Sequence, residues 1–285
     1  MVLVGTKAGI HAVDEEQPHS QIEVVHLVQH ATGWWAVDPQ GRIWHDDDHV
    51  ADAPDGVRIN CLQPTADGVW LGADSARLFL LQDGVIVEDQ FFADAPGRET
   101  WHTPWGGPAD VRSLAHEPDG ALFVNVHVGG ILRYDNTGLV PTVPIESDVH
   151  QVVSHPGRAA AVMAATAWGL AQSSNGHDFE FRTEGFTARY CRAVAVWEDT
   201  VLVSASRGPR GGGATVYRGP LQGGPLQPCN GGLPDEFEGN VDTHCLFAGP
   251  DAFFVGNGGN VWASGDRGET WEKVAAGLPP ITCLA

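Results

Sequence analysis

Lysine is nearly missing from this chain: Lys7 and Lys273 are the two it has, and arginine supplies the other cations. Sixteen Lys+Arg stand against 36 Asp+Glu, a formal net charge of −20. A surface that acidic repels phosphate backbones and anionic headgroups, which excludes nucleic acid and membrane as expected partners. Long apolar runs are also missing, and none approaches the roughly 18 residues of a membrane span. The opening MVLVGTKAGIHAVD lacks the basic and long apolar regions of a secretory leader. Cysteine is sparse, odd in number and without a CxxC pair: Cys61, Cys191, Cys229, Cys245 and Cys283. That pattern argues against a disulfide framework and a structural zinc, and with no leader it predicts a cytoplasmic protein. The phosphate-cradling Gly-x-x-x-x-Gly-Lys-Ser/Thr loop, the Gly-x-Ser-x-Gly elbow and the His-Glu-x-x-His pair are absent as well. No long segment carries apolar residues at the i, i+3, i+4, i+7 spacing of a helix.

What is present is a repeat. A short element of apolar, any, any, apolar residues recurs as Val24–Leu27, Ile59–Leu62, Val111–Leu114, Val149–Val152, Cys191–Val194, Thr243–Leu246 and Ile281–Leu284. Each of the first six is followed by a polar turn, a second apolar strand and, after a glycine-containing turn, a third. The starts lie 35, 52, 38, 42, 52 and 38 residues apart. A period near 40 with about four short strands per repeat is the pattern of propeller blades, which bury their faces by stacking around an axis. The seventh element has nothing after it, while the N-terminal VLVGTKAGIHAVD reads as second and third strands with nothing before them. The expectation is an all-β, seven-bladed β-propeller over residues 1–285 as one domain, with one blade closed by N- and C-terminal strands.

Ser264–Trp271 reads SGDRGETW, and a shorter copy, SSNGHDF, occupies Ser173–Phe179. The first matches the Asp-box pattern Ser-x-Asp-x-Gly-x-Thr-Trp, so the chain resembles the Asp-box (BNR) repeat propellers, among them sialidases, sortilin-type receptors and photosystem assembly factors. The resemblance implies the fold, with the motif as a turn between third and fourth strands, far from the channel mouth. The Arg-Ile-Pro segment of sialidases is absent, so the likeness does not imply sialidase activity.

Chemistry is expected where inner strands begin. The second residues of the seven elements are Val25, Asn60, Arg112, His150, Arg192, His244 and Thr282. Burying such polar groups unpaired would cost several kcal/mol each, on the order of the penalty for a stranded hydrogen-bonding group, so they are expected to face a wet channel or a ligand. Ends of second strands add Lys7, Asp74, Asn125, His127 and Arg207; Asp242 and Tyr190 stand beside the column. The segment 91–110 carries Trp101, His102 and Trp105 and should drape over the same mouth. The run His45–His49 (HDDDH) reads as an acidic solvated turn.

These residues suggest a site with His150, His244 and Tyr190 as proton-moving groups. Arg112, Arg192, Asn60, His127, Arg207, Trp101, Trp105 and Asp242 would contact a small anionic or sugar-like ligand. His102, His127, His150 and His244 are candidates to hold a divalent metal. One reading is an enzyme using acid–base or metal-assisted chemistry, β-elimination among the candidates. The other is a non-catalytic platform for a protein or peptide partner.

Overall fold

The computed structural model describes residues 1–15, 17–118 and 120–285. Seven four-stranded antiparallel sheets make up the chain. Their inner strands touch in cyclic order, from Ile281–Leu284 through His26–His30, Ile59–Thr65, Val111–His116, Val149–Ser154 and Tyr190–Trp197 to Leu246–Ala248 and back. The ring is a seven-bladed β-propeller. Alternation within the strands explains it: apolar side chains on both faces of each sheet pack between neighbouring blades, as Met163, Val194, Val203 and Tyr217 do between the fifth and sixth. The 91–110 segment, read as a loop, begins within a short helical turn, Gln90–Ala93, capped by the Asp89 side chain accepting from Phe92 N–H at 2.6 Å, and holds a 3-10 turn at Arg98–Thr100.

The first blade joins the two ends of the chain. Ile281–Leu284 pairs with Leu3–Thr6, with Val4 opposite Leu284 and Gly5 opposite Cys283. Leu3 and Ala285 exchange backbone hydrogen bonds of 2.7 and 2.9 Å. The packing there is tight enough to dictate residue size: a Cβ on Gly5 would lie 2.6 Å from Cys283 Sγ, and one on Gly72 2.6 Å from Cys61 Sγ. This accounts for cysteines recurring at the third place of the inner strand. All five cysteines are free and buried, and burial pushes the thiols of Cys61, Cys191 and Cys245 far above their ordinary range. They are packing residues, not nucleophiles.

Five of the seven inner strands carry a β-bulge at the same place. The register runs from Ile59 to Cys61, Val111 to Ser113, Val149 to Gln151, Cys191 to Val194 and Ile281 to Cys283, leaving Asn60, Arg112, His150, Arg192 and Thr282 in the bulges. A bulge adds a residue without an opposite partner and turns its side chain out of the regular alternation. The repeated polar column is thus one backbone device used five times around the channel.

The Ser264–Trp271 turn lies between the strands Asn260–Ser264 and Glu272–Ala275. Asp266 Oδ1 accepts from Ser264 Oγ and from the Glu269 and Thr270 N–H groups at 2.8, 3.1 and 2.8 Å. Thr270 Oγ1 donates to Asp266 Oδ2 at 2.5 Å, and the Trp271 ring is buried. In the shorter copy Asn175 Oδ1 accepts from the His177 and Asp178 N–H groups, each at 2.9 Å. Asp266→Ala strands those donors and is expected to cost about 2 kcal/mol of stability; urea unfolding checks this, with Asp266→Asn losing less because it keeps one acceptor.

Candidate metal centre at the channel mouth

Three donors from two adjacent blades meet at the mouth. His127 follows the fourth blade's second strand, Leu122–Val126, its N–H bonded to Asp110 O at 2.8 Å. His150 is the bulge residue of the fifth blade's inner strand. Asp148 lies two residues earlier in the left-handed region (φ 49°), after a single 3-10 turn, Ile145–Ser147. Its φ and the bulge bring the carboxylate and the imidazole together. One donor atom each from His127, Asp148 and His150 all lie within 4.8 Å of one another. His127 Nε2 is 2.9 Å from Asp148 Oδ1, and His150 Nε2 is 3.5 Å from Asp148 Oδ2.

The hydrogen bonds outside the cluster fix what faces inward. His150 Nδ1 lies 2.6 Å from the Cys191 carbonyl, which can only accept, so Nδ1 carries the proton. His150 is fully buried. Burial lowers its pKa; Asp148 opposes this, and Arg192 and Arg112 add to the lowering. The ring is therefore neutral near pH 7, with its Nε2 lone pair turned toward a carboxylate. Two acceptors facing each other need a cation or a proton between them. Consistent with this, Asp148 Oδ1, His150 Nε2 and His127 Nδ1 are buried without an aligned hydrogen-bond partner. Burial alone would raise the Asp148 pKa, but in acid, where both imidazoles are protonated and donate to it, they hold its carboxyl well below the usual carboxylate range.

Cations and aromatic rings surround the triad. The Tyr190 ring packs on His150 at 4.7 Å between centroids. Burial raises the Tyr190 phenol pKa, while a hydrogen bond with Arg192 works against that rise. Arg192 Nε and Nη2 donate to Asp242 Oδ1 at 3.0 and 2.6 Å. Trp105, 72% exposed, lies over His127 at 5.3 Å. Loading with a divalent ion is expected to change tryptophan emission in the native chain and much less in Trp105→Phe; an equal change in both would place the ion elsewhere.

The other sequence candidates lie apart from the three donors. His102 is exposed, its ring on the Thr100 carbonyl at 3.0 Å. Trp101 packs on Phe92 at 5.8 Å and under the Arg98 guanidinium at 5.4 Å, as part of the blade core. Arg207 sits on an exposed loop and pairs with Glu236 at 3.3 Å. Asn60 bonds to Arg58 and to the Val111 carbonyl. His244 has a φ of 64° and packs its ring at a tilt against His26, 4.1 Å between centroids, with Nε2 3.4 Å from the Arg112 carbonyl. That pair borders a cavity of about 310 Å³ lined by the later halves of the inner strands, among them Leu62, Leu114, Val152 and Leu246. His26 was not singled out from the sequence, and neither was Asp148. The residue just before each inner element carries the signal for the latter: Asp110, Asp148 and Asp242 share that place.

No family model matches the chain, and no curated protein matches it. Solved structures do. The computationally designed protein Ika8 is 15% identical over 95% of this chain and 79% of its own, at a TM-score of 0.61. A catalytically inactive histidine-to-alanine variant of virginiamycin B lyase from Staphylococcus aureus, with quinupristin, is 12% identical over 89% of this chain and 83% of its own, at 0.61. YCF48 bound to D1 peptide is 14% identical over 96% and 84%, at 0.59. The likeness is one of fold. Among the described residues no helix is long and apolar enough to cross a membrane.

Proposed function

We propose that the channel mouth is a divalent-metal centre that binds a small anionic or sugar-like ligand and acts on it by metal-assisted acid–base chemistry. The observation that carries this reading is the convergence of His127, Asp148 and His150, with the His150 tautomer set from outside and its free lone pair aimed inward. A backbone carbonyl orienting the far nitrogen is the usual support of a metal-bound histidine. Two imidazoles and one carboxylate suit zinc, iron or manganese and leave coordination positions open. Bound there, such an ion supplies Lewis acidity and lowers the pKa of a coordinated water or hydroxyl.

The chain's own groups supply the remainder. Tyr190, packed against His150, is placed to give or take a proton at its hydroxyl. A guanidinium of the mouth orients an anion, and Trp105 covers the ligand from the solvent side. The lyase with quinupristin supports the reading to the extent that a propeller of this shape hosts chemistry on a small molecule. A second reading, a platform for a peptide, is favoured by the exposure of Trp105 and by the propeller that holds D1 peptide. The turn at Ser264–Trp271 supports placing the chain among the Asp-box propellers.

The test is metal content by mass spectrometry on protein purified without chelator or immobilised nickel. About one ion per chain is expected for a three-donor site. No bound ion, and no uptake of added zinc, manganese or iron(II), would remove the metal reading.

A further inference from the structure

The two arginines of the mouth, equivalent in the sequence, are not equivalent in the structure. Arg192 is already neutralised: two of its nitrogens bond Asp242, and Tyr190 bonds it as well. Arg112 is held on its bulge, half-buried, and its guanidinium makes no hydrogen bond or ion pair with any described residue. It feels Arg192 as a repelling charge and Asp148, Tyr190 and Asp110 as attracting ones. Asp110 in turn is engaged by Arg58 at 3.3 Å. A half-buried guanidinium with no carboxylate already bonded to it has its N–H donors available to a bound anion.

We infer that Arg112, and not Arg192, receives the ligand's anionic group, and that this group is a carboxylate lying beside the His127–Asp148–His150 triad. The geometry of the cation selects the class. With Arg192 hydrogen-bonded to Asp242 and Arg58 paired with Asp110, Arg112 is the mouth guanidinium left without a hydrogen-bonded carboxylate. The flat fork of the guanidinium also matches the planar carboxylate through two parallel N–H···O bonds. This specificity rests on the mouth being the ligand site; the charge asymmetry itself is independent of any metal.

Thermal unfolding and calorimetry with two carboxylates and their neutral counterparts, lactate against lactamide and glucuronate against glucose, test it. At about 20 mM, lactate or glucuronate is expected to raise Tm where its neutral counterpart does not, since binding to the folded state alone stabilises it. Arg112→Gln is expected to weaken carboxylate binding at least ~10-fold, the loss of one charge-assisted pair. Arg112→Lys should retain part of it, and Arg192→Gln should retain more than Arg112→Gln. Carboxylates no better than their neutral counterparts, or undiminished binding by Arg112→Gln, would overturn the inference. Metal affinity, measured separately without carboxylate, is expected not to fall in Arg112→Gln, because removing a neighbouring positive charge favours a cation at the triad. Absence of metal with an intact carboxylate response would sink the metal reading and leave this one standing.

Discussion

Asp148→Ala is expected to lower affinity for a divalent ion by at least ~100-fold. Loss of an outer-shell partner of a metal-bound histidine costs about 10–100-fold, and Asp148 is one of only three donors. It also supplies the one negative charge in the set, so the attraction removed is larger than that of a neutral ligand. The left-handed φ of 49° at Asp148 favours asparagine as the control. Asp148→Asn keeps the backbone and one oxygen while removing the charge, and is expected to fall between the native chain and alanine. His150→Ala should lose metal to the same extent as Asp148→Ala. His102→Ala and His244→Asn should keep it, because neither ring reaches the triad. Calorimetric titration with zinc, together with mass spectrometry of the purified variants, measures this. Native affinity in both Asp148→Asn and His150→Ala would move the metal away from this mouth.

Much of this molecule is readable from the chain because each blade repeats the same physical problem. Alternating apolar residues, glycine turns and a period near 40 leave few other architectures. The closing blade is visible in the unmatched strands at the two ends. The polar column was legible as composition, but its cause was not: a bulge leaves no mark in an apolar–polar pattern, so nothing in the sequence says that Arg112 and His150 are turned out of the ladder. For the same reason His244 looked equivalent to His150. Its positive φ is a backbone property, and the ring packs against His26 rather than joining the triad. Asp148 was missed because an aspartate before a strand ordinarily reads as turn chemistry. The recurrence of aspartate at that place, as Asp110, Asp148 and Asp242, was the available clue.

Stability is expected to fall by about 3 kcal/mol or more between pH 7 and pH 4, with the loss centred on the His26–His244 pair. Burial lowers the His244 pKa from an ordinary value of 6.5 to about 4. Burial also lowers that of His26 well below its ordinary value, and the neighbouring His244 adds to this. Both rings are neutral when folded, whereas in the unfolded chain they take up protons near pH 6.5. The unfolded state therefore binds more protons between pH 6.5 and pH 4, so the stabilisation is complete above 6.5 and is lost as pH falls toward 4. Two and a half units at about 1.4 kcal/mol each give about 3.5 kcal/mol for His244 alone, of which about 3 kcal/mol is lost by pH 4. His26 adds to it, though a first proton on the pair opposes the second at a ring separation of 4.1 Å. The depressed carboxyl groups of Asp148 and Asp266 act in the same direction but at lower pH, with Asp266 near 2. His26→Asn separates the pair from other acid effects. Its side-chain oxygen can replace Nδ1 as the acceptor for the Leu62 N–H, now at 3.2 Å, without titrating. Urea unfolding at pH 7.5, 5.5 and 4.5 should show a shallower fall for this variant than for the native chain. Parallel curves would assign the acid sensitivity to groups outside the channel.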